Sequence, residues 1–289
     1  MSPPRAPEIL LVHDDCRHGL AATVAAGSID VVVTSPPYNL GIAYASYDDR
    51  RPREEYLRFL GEVRDGLDRA LAPRGSIFLN VGAAPKDPTL PWDVARTFGE
   101  RFRLQNVIHW VKSIAIDRGA AGRSAGLDRD LAIGHYKPSR SDRFLHGAHE
   151  YVFHLTRTGD VPIDRLAIGV PYQDKTNVAR WTSGRGDRRC RGNTWFLPYS
   201  TIQRRATDRP HPASFPPELP EWCYRLHGVR RIHRALDPFV GIGASAVAAV
   251  RVGVDFVGFD VDAGYLAIAH RRVAAAEAAV RAPPTGRAA

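Results

Sequence analysis

Short β-branched runs alternate with helix-spaced segments along most of this chain, and no other feature restricts the fold as much. Ile29–Thr34 (IDVVVT) is bounded by Gly-Ser and Pro-Pro, as a buried strand is. From Glu54 to Leu71 the period changes, with Tyr56, Leu60, Val63, Leu67 and Leu71 on one helical face. Pro73-Arg74-Gly75 ends that period, and Ser76–Val81 reads as the next strand. Further strands are expected at Ile9–His13, Val107–Val111, Tyr151–Leu155, Ala235–Phe239 and Phe256–Asp260, with helices over about 244–251 and 263–281. Such alternation predicts an α/β fold with a doubly wound, mostly parallel sheet. The stretch 114–210, rich in Gly, Pro, Arg and Asp, breaks the rhythm. It is expected to be an inserted region that carries function, apart from a last core strand near 149–157. Residues 1–113 and 211–289 then form one core.

Composition excludes several classes. With 289 residues, 44% hydrophobic and 25% charged, the chain can bury a real core and is neither disordered nor fibrous. No stretch reaches the roughly 18 uninterrupted apolar residues of a membrane span. The N-terminal MSPPRAPEILLV has too short an apolar run for a signal peptide, so a reducing, cytoplasmic setting is expected. Cys16, Cys190 and Cys223 are scattered, which suits neither a disulfide framework nor a zinc site. Isolated histidines such as His135, His146 and His154 read as structural, and no metal site is expected.

Two segments carry chemistry. Thr34-Ser35-Pro36-Pro37-Tyr38-Asn39 follows a strand directly, and its prolines make a rigid loop that displays carbonyls beside a hydroxyl and an aromatic ring. A planar base with an exocyclic amine would suit that combination of acceptors and stacking surface. Asp237-Pro238-Phe239-Val240-Gly241-Ile242-Gly243-Ala244-Ser245-Ala246 follows another strand and opens a helix. Gly241, Gly243 and Ala246 satisfy G-x-G-x-x-A, and Asp260 ends the next strand about twenty residues on, where a carboxylate can take ribose hydroxyls. Asp237, Phe239, Gly241, Gly243, Ser245 and Asp260 are therefore candidate nucleotide-cofactor contacts. Taken alone, this loop also fits a nicotinamide-dependent dehydrogenase.

Together, TSPPYN early, DPFVGIG late and FVGFD after it resemble the β-class amino-methyltransferases of DNA. In that family the catalytic segment precedes the cofactor loop, a circularly permuted order of the class I methyltransferase fold. The resemblance implies S-adenosyl-L-methionine as cofactor and double-stranded DNA as partner. It leaves open a cognate restriction endonuclease acting separately, and either a monomer or a homodimer. His13-Asp14-Asp15-Cys16 is similar to the segment whose aspartate, here Asp15, reaches the cofactor's adenine; Asp14 stands where glycine is common. His211, Pro212 and Phe215 resemble a segment lining the methionine end of the cofactor. The implied chemistry is methyl transfer to a flipped-out base. Ser35 and the Pro36 carbonyl accept the amine hydrogens, Pro37 stiffens the loop, Tyr38 stacks, and Asn80 is a candidate second amine contact. The SPPY form favours the N4 amine of cytosine, with N6 of adenine as the alternative. A non-catalytic DNA-binding relative is the reading from another class, separated from an enzyme by cofactor binding.

Lys and Arg outnumber Asp and Glu by 40 to 31. Eight arginines against two aspartates fall between Arg180 and Arg209, interleaved with Trp181, Trp195, Phe196 and Tyr199. Arg180, Arg185, Arg188, Arg189, Arg191, Arg204 and Arg205 are candidate DNA contacts, since arginine binds phosphates and reads guanine.

Overall fold

The computed structural model describes residues 5–42, 44, 46–122, 126–134, 141–180, 186–198 and 214–282. Along the chain run β1 (Ile9–His13), α1 (Cys16–Thr23), β2 (Ile29–Thr34), α2 (Arg53–Ala70), β3 (Leu71–Val81), α3 (Leu90–Gly99) and β4 (Arg103–Val111). A central segment follows, with β5 (Ile114–Ile116), α4 (Arg118–Ala121), β6 (Leu131–Ile133), β7 (His149–Thr156), α5 (Thr176–Arg180) and β8 (Thr194–Phe196). The last part holds α6 (Glu218–His227), β9 (Arg234–Asp237), α7 (Ala244–Val252), β10 (Asp255–Asp260) and α8 (Ala263–Arg281).

Eight strands form one sheet in the order β1-β10-β9-β2-β3-β7-β4-β8, while β5 and β6 make a separate hairpin. Its pairs are parallel except around β7, which runs antiparallel to both β3 and β4. This is the α/β, mostly parallel architecture expected from the alternation. Strands β2 and β3 read as continuous apolar runs because both faces of the sheet are covered. Val32, Ile77 and Leu79 point into one layer, with Tyr56, Leu60, Val63 and Leu67 of α2. Val31, Val33 and Phe78 point into the other, against Leu219 and Tyr224 of α6 and Ala246 and Val250 of α7. Each such side chain, taken from water, contributes about 1.5–3 kcal/mol.

The structure departs from the sequence reading in three places. Strand β3 begins at Leu71, so Pro73-Arg74-Gly75 lies inside it, and the register against β2 shifts between Ile29 and Val31. Pro73 and Arg74 are exposed there, where a missing donor is tolerated. Short β8 has no periodic signature in the sequence; it pairs with β4, Trp110 opposite Trp195. Helices α1, α3 and α6, eight to ten residues long, are too short to show a clear period. Among the described residues no helix is long and apolar enough to cross a membrane.

From β9 the chain passes through α7 to β10 on one side, and from β2 through α2 to β3 on the other. The two strands are neighbours, with Val31 opposite Ala235 and Val32 opposite Leu236. At that reversal an open α/β sheet parts beyond the carboxyl ends of its strands.

Candidate active site

A cleft of about 210 Å³ opens at the reversal. The loop after β2 contributes Ser35 to Tyr38 to its wall, and the loop after β9 contributes Phe239 and Gly241. Asp15, Cys16, Phe215 and Asp260 also line it, so one space gathers segments that are far apart in sequence.

Beneath the cleft a buried carboxylate ties the two loops together. Asp237 accepts hydrogen bonds from the Thr34 hydroxyl at 2.7 Å, the Ser245 hydroxyl at 2.6 Å and the Phe239 amide at 3.0 Å. Burial pushes its pKa up to about 6 despite those donors. Asp237 and Ser245, expected at the cofactor, are thus not in the cleft wall; both are fully buried and bonded to each other. Gly243 is likewise not in the cleft wall. Its φ of 79° is left-handed, and a Cβ there would lie 2.9 Å from that of Ala269, so this glycine lets α8 approach the loop.

Gly241 does face the cleft, and its amide donates to Asp260 Oδ2 at 2.9 Å. Asp260 Oδ1 accepts from the Asp262 amide at 2.8 Å, and burial raises the Asp260 pKa. Asp262 caps α8 through the Tyr265 amide and is itself held by the Ser46 hydroxyl. The expected Asp15 contact has a competitor. Arg17 Nη2 donates to Asp15 Oδ2 at 2.7 Å, while Arg17 Nη1 reaches Glu62 at 2.8 Å. Burial acts to raise the Asp15 pKa, but hydrogen bonds and charge from Arg17 outweigh it and hold the carboxyl below its ordinary value. Asp14 needs no glycine-like backbone. Among the described residues Asn39 is the one non-glycine with positive φ, and the Asp14 carboxylate accepts the Asp15 amide at 2.8 Å. Cys16 is buried, which raises its thiol pKa. Phe59, Tyr44 and Tyr47, which periodicity does not single out, also wall the cleft, with Arg51 4.8 Å from the Tyr47 ring centre.

On the other side, the SPPY loop rests on a polar cluster. The Tyr38 hydroxyl donates to Glu150 Oε2 at 2.9 Å and lies 2.6 Å from the Ser35 hydroxyl. Asn80 Nδ2 donates to the Tyr38 hydroxyl and to Glu150, each at 2.7 Å, and Lys112 Nζ donates to Glu150 Oε1 at 2.8 Å. The Tyr56 hydroxyl holds the Pro37 carbonyl at 2.8 Å, whereas the Pro36 carbonyl accepts no hydrogen bond among the described residues. Glu150 and Lys112 escape the sequence reading. The available signal is an acid at the head of the apolar strand HEYVFHL, but only antiparallel pairing brings that head beside the end of β3.

The expected DNA contacts divide. Arg180, Arg188 and Arg189 are exposed, with Arg188 Nη1 also donating to the Leu166 carbonyl at 3.2 Å. Arg191 is engaged within the protein: its Nε donates to the Ile168 carbonyl at 2.9 Å, and its guanidinium lies 4.1 Å from the Trp222 ring centre. Trp195 is a core residue of β8, 1% exposed. Arg185, Arg204, Arg205, His211, Pro212, Trp181, Tyr199 and His135 lie outside the described residues.

Residues 29–271 match the model of a family described as DNA methylase. The chain is similar to the Type II methyltransferase M.BglII of Bacillus subtilis, 28% identical over 256 residues, with 84% of this chain and 63% of that protein covered. It is also similar to M.ScaI of Streptomyces caespitosus, 27% identical over 287 residues, covering 93% and 82%. It thus spans less than two thirds of M.BglII and most of M.ScaI. Among solved structures, the PvuII DNA methyltransferase (cytosine-N4-specific) is similar with a TM-score of 0.60 at 17% identity, covering 93% of this chain and 89% of that one. A DNA modification methylase from Thermus thermophilus, TTHA0409, gives 0.57 at 22% identity, covering 93% and 95%. At these identities the structural likeness concerns the fold.

Proposed function

The chain belongs to the DNA methylase family, and from that premise we propose a site-specific DNA methyltransferase acting on the exocyclic N4 amine of cytosine. The observation that carries the reading is the meeting of the Ser35–Tyr38 loop and the Gly241–Asp260 pair in one cleft. The cleft fits S-adenosyl-L-methionine. The Asp260 carboxylate has lone pairs left for ribose hydroxyls, and Phe215, Phe239 and Val261 offer apolar faces. Bound there, S-adenosyl-L-methionine supplies an electrophilic methyl group.

Everything else falls to this chain's own residues. An exocyclic amine is a poor nucleophile because its lone pair is conjugated with the ring. Ser35 Oγ and the Pro36 carbonyl are two acceptors on one stiff loop, and two hydrogen bonds from the amine draw its nitrogen toward tetrahedral geometry and free the lone pair. Prolines at 36 and 37, with Tyr56 on the Pro37 carbonyl, keep those acceptors in place before the target arrives. The amine is out of reach inside a duplex, so the base is flipped into the cleft beside Tyr38. Exposed Arg180, Arg188 and Arg189 are proposed to hold DNA phosphates.

Ser35 at the head of the loop is what favours cytosine, and N6 of adenine is the alternative. Nucleoside mass spectrometry of DNA from cells expressing the protein tests both. N4-methylcytosine supports the assignment, N6-methyladenine reverses it, and neither mark in modified-site sequencing removes the reading altogether.

A further inference from the structure

Glu150 lies near the head of β7, in the core strand expected near 149–157 but not among the candidate site residues, and three donors converge on its carboxylate. The Tyr38 hydroxyl and Asn80 Nδ2 reach Oε2 at 2.9 and 2.7 Å, and Lys112 Nζ reaches Oε1 at 2.8 Å. Its side chain is 11% exposed and that of Lys112 21%. The packing leaves no slack, because a Cβ on Gly82 would fall 2.8 Å from the Tyr38 ring and 3.2 Å from the Glu150 carboxyl carbon.

A carboxylate has no proton to give, so the contact with Tyr38 has one direction: the tyrosine hydroxyl donates. Asn80 Nδ2 also points a proton at the Tyr38 oxygen. With the Tyr38 proton committed to Glu150, the 2.6 Å contact between Ser35 and Tyr38 is satisfied in one way only, with Ser35 donating. The single proton of Ser35 is then committed to Tyr38, and its oxygen meets a ligand as an acceptor.

The geometry points to Glu150, held by Lys112, as a positioning residue that sets the direction of the Ser35–Tyr38 hydroxyl chain and so makes the site select an amine over an oxo group. This rests on the methyltransferase reading above. An amine offers N–H to Ser35 and is welcomed; an oxo group offers only lone pairs and meets lone pairs, so a thymine-like or guanine-like edge is refused. An uncommitted serine would rotate its proton and accept either.

The test uses the full chain and a duplex carrying its methylation site, read first by modified-base sequencing. Glu150→Gln places an amide where its NH2 can donate to Tyr38, which lets the chain reverse. The expected result is a ten- to hundredfold fall in kcat, a KM for S-adenosyl-L-methionine within twofold of wild type, and loss of most of the binding preference for the normal duplex over one with the oxo analogue of the target base. Glu150→Asp, which keeps the carboxylate, restores the preference even if kcat stays low. Wild-type kcat in Glu150→Gln overturns the proposal, as does a fall in kcat with the amine preference unchanged. If Glu150→Gln does not fold, Lys112→Met gives the second reading. A retained carboxylate predicts the wild-type preference, and its loss there overturns the assignment to Glu150. Absence of methyl transfer by the wild-type protein sinks the underlying reading instead.

Discussion

Thr34 and Asp237 stand 203 positions apart in the chain and meet through one hydrogen bond of 2.7 Å. That bond closes the junction between the ends of β2 and β9, with Ser245 and the Phe239 amide on the same carboxylate. Asp237→Ala leaves two buried hydroxyls and the partly buried Phe239 amide without an acceptor, and each buried donor so left costs about 1–3 kcal/mol. Destabilisation of about 3 kcal/mol or more is expected in urea, together with loss of cofactor binding as the glycine loop shifts. Thr34→Val removes one partner and costs about 1 kcal/mol. An unchanged urea midpoint in Asp237→Ala would show that the carboxylate does not hold the loops.

Ser35→Ala removes an acceptor from the proposed catalytic loop and leaves Gly241 and Asp260 unchanged. Methyl transfer is expected to fall at least about a hundredfold, while S-adenosyl-L-methionine binding by calorimetry stays within twofold. Tyr38→Ala should behave alike. Full activity in either variant contradicts the assigned roles.

The arginines divide in a way that salt titrations can read. Arg188→Ala and Arg189→Ala are each expected to weaken DNA binding for all sequences and to reduce the slope of log K against log salt by about 1. Arg191→Ala should leave that slope alone and instead lower stability by about 1–2 kcal/mol, since its guanidinium packs on Trp222 and holds the Ile168 carbonyl. Equal slopes for all three variants contradict this division.

A buried pair of histidines predicts weaker folding in acid. Ser76 Oγ lies 3.0 Å from both His154 Nε2 and His227 Nδ1. Burial lowers their pKa values from about 6.5 to about 3 and about 4. Between pH 6.5 and 4 the unfolded chain therefore binds protons that the folded one refuses, and these histidines lose stability as the pH falls. Asp237, with its pKa raised to about 6, opposes this below pH 6, so the comparison must be made between variants. His227→Leu is expected to be less stable than wild type at about pH 7.5, with the gap closing by about 1.4 kcal/mol per pH unit below about 6.5. Parallel urea midpoints from about pH 7.5 to about 5 would refute it.

Local pattern made the core legible, and pairing direction hid the rest. Val31, Val32 and Val33 announce a strand covered on both faces, and the loops after β2 and β9 follow from residue types alone. Nothing in HEYVFHL says that β7 runs against its neighbours, yet that reversal is what sets Glu150 beside Asn80 and Tyr38. Nor does a run of eight arginines tell which are exposed; Arg191 faces Trp222 because α6 passes there. Asp237 reads as a ligand contact because its neighbours in sequence line the cleft, whereas its own side chain is bonded into the Thr34–Ser245 junction.

The order of the two loops has a consequence for synthesis. The Ser35–Tyr38 loop leaves the ribosome long before β9 and β10, which form the other wall, exist. A nascent or prematurely released chain holds the acceptors for an amine but has no Asp237 to fix Thr34 and no Gly241–Asp260 cradle. On the proposed methyltransferase function, a fragment ending before Asp260 is expected to leave DNA unmodified.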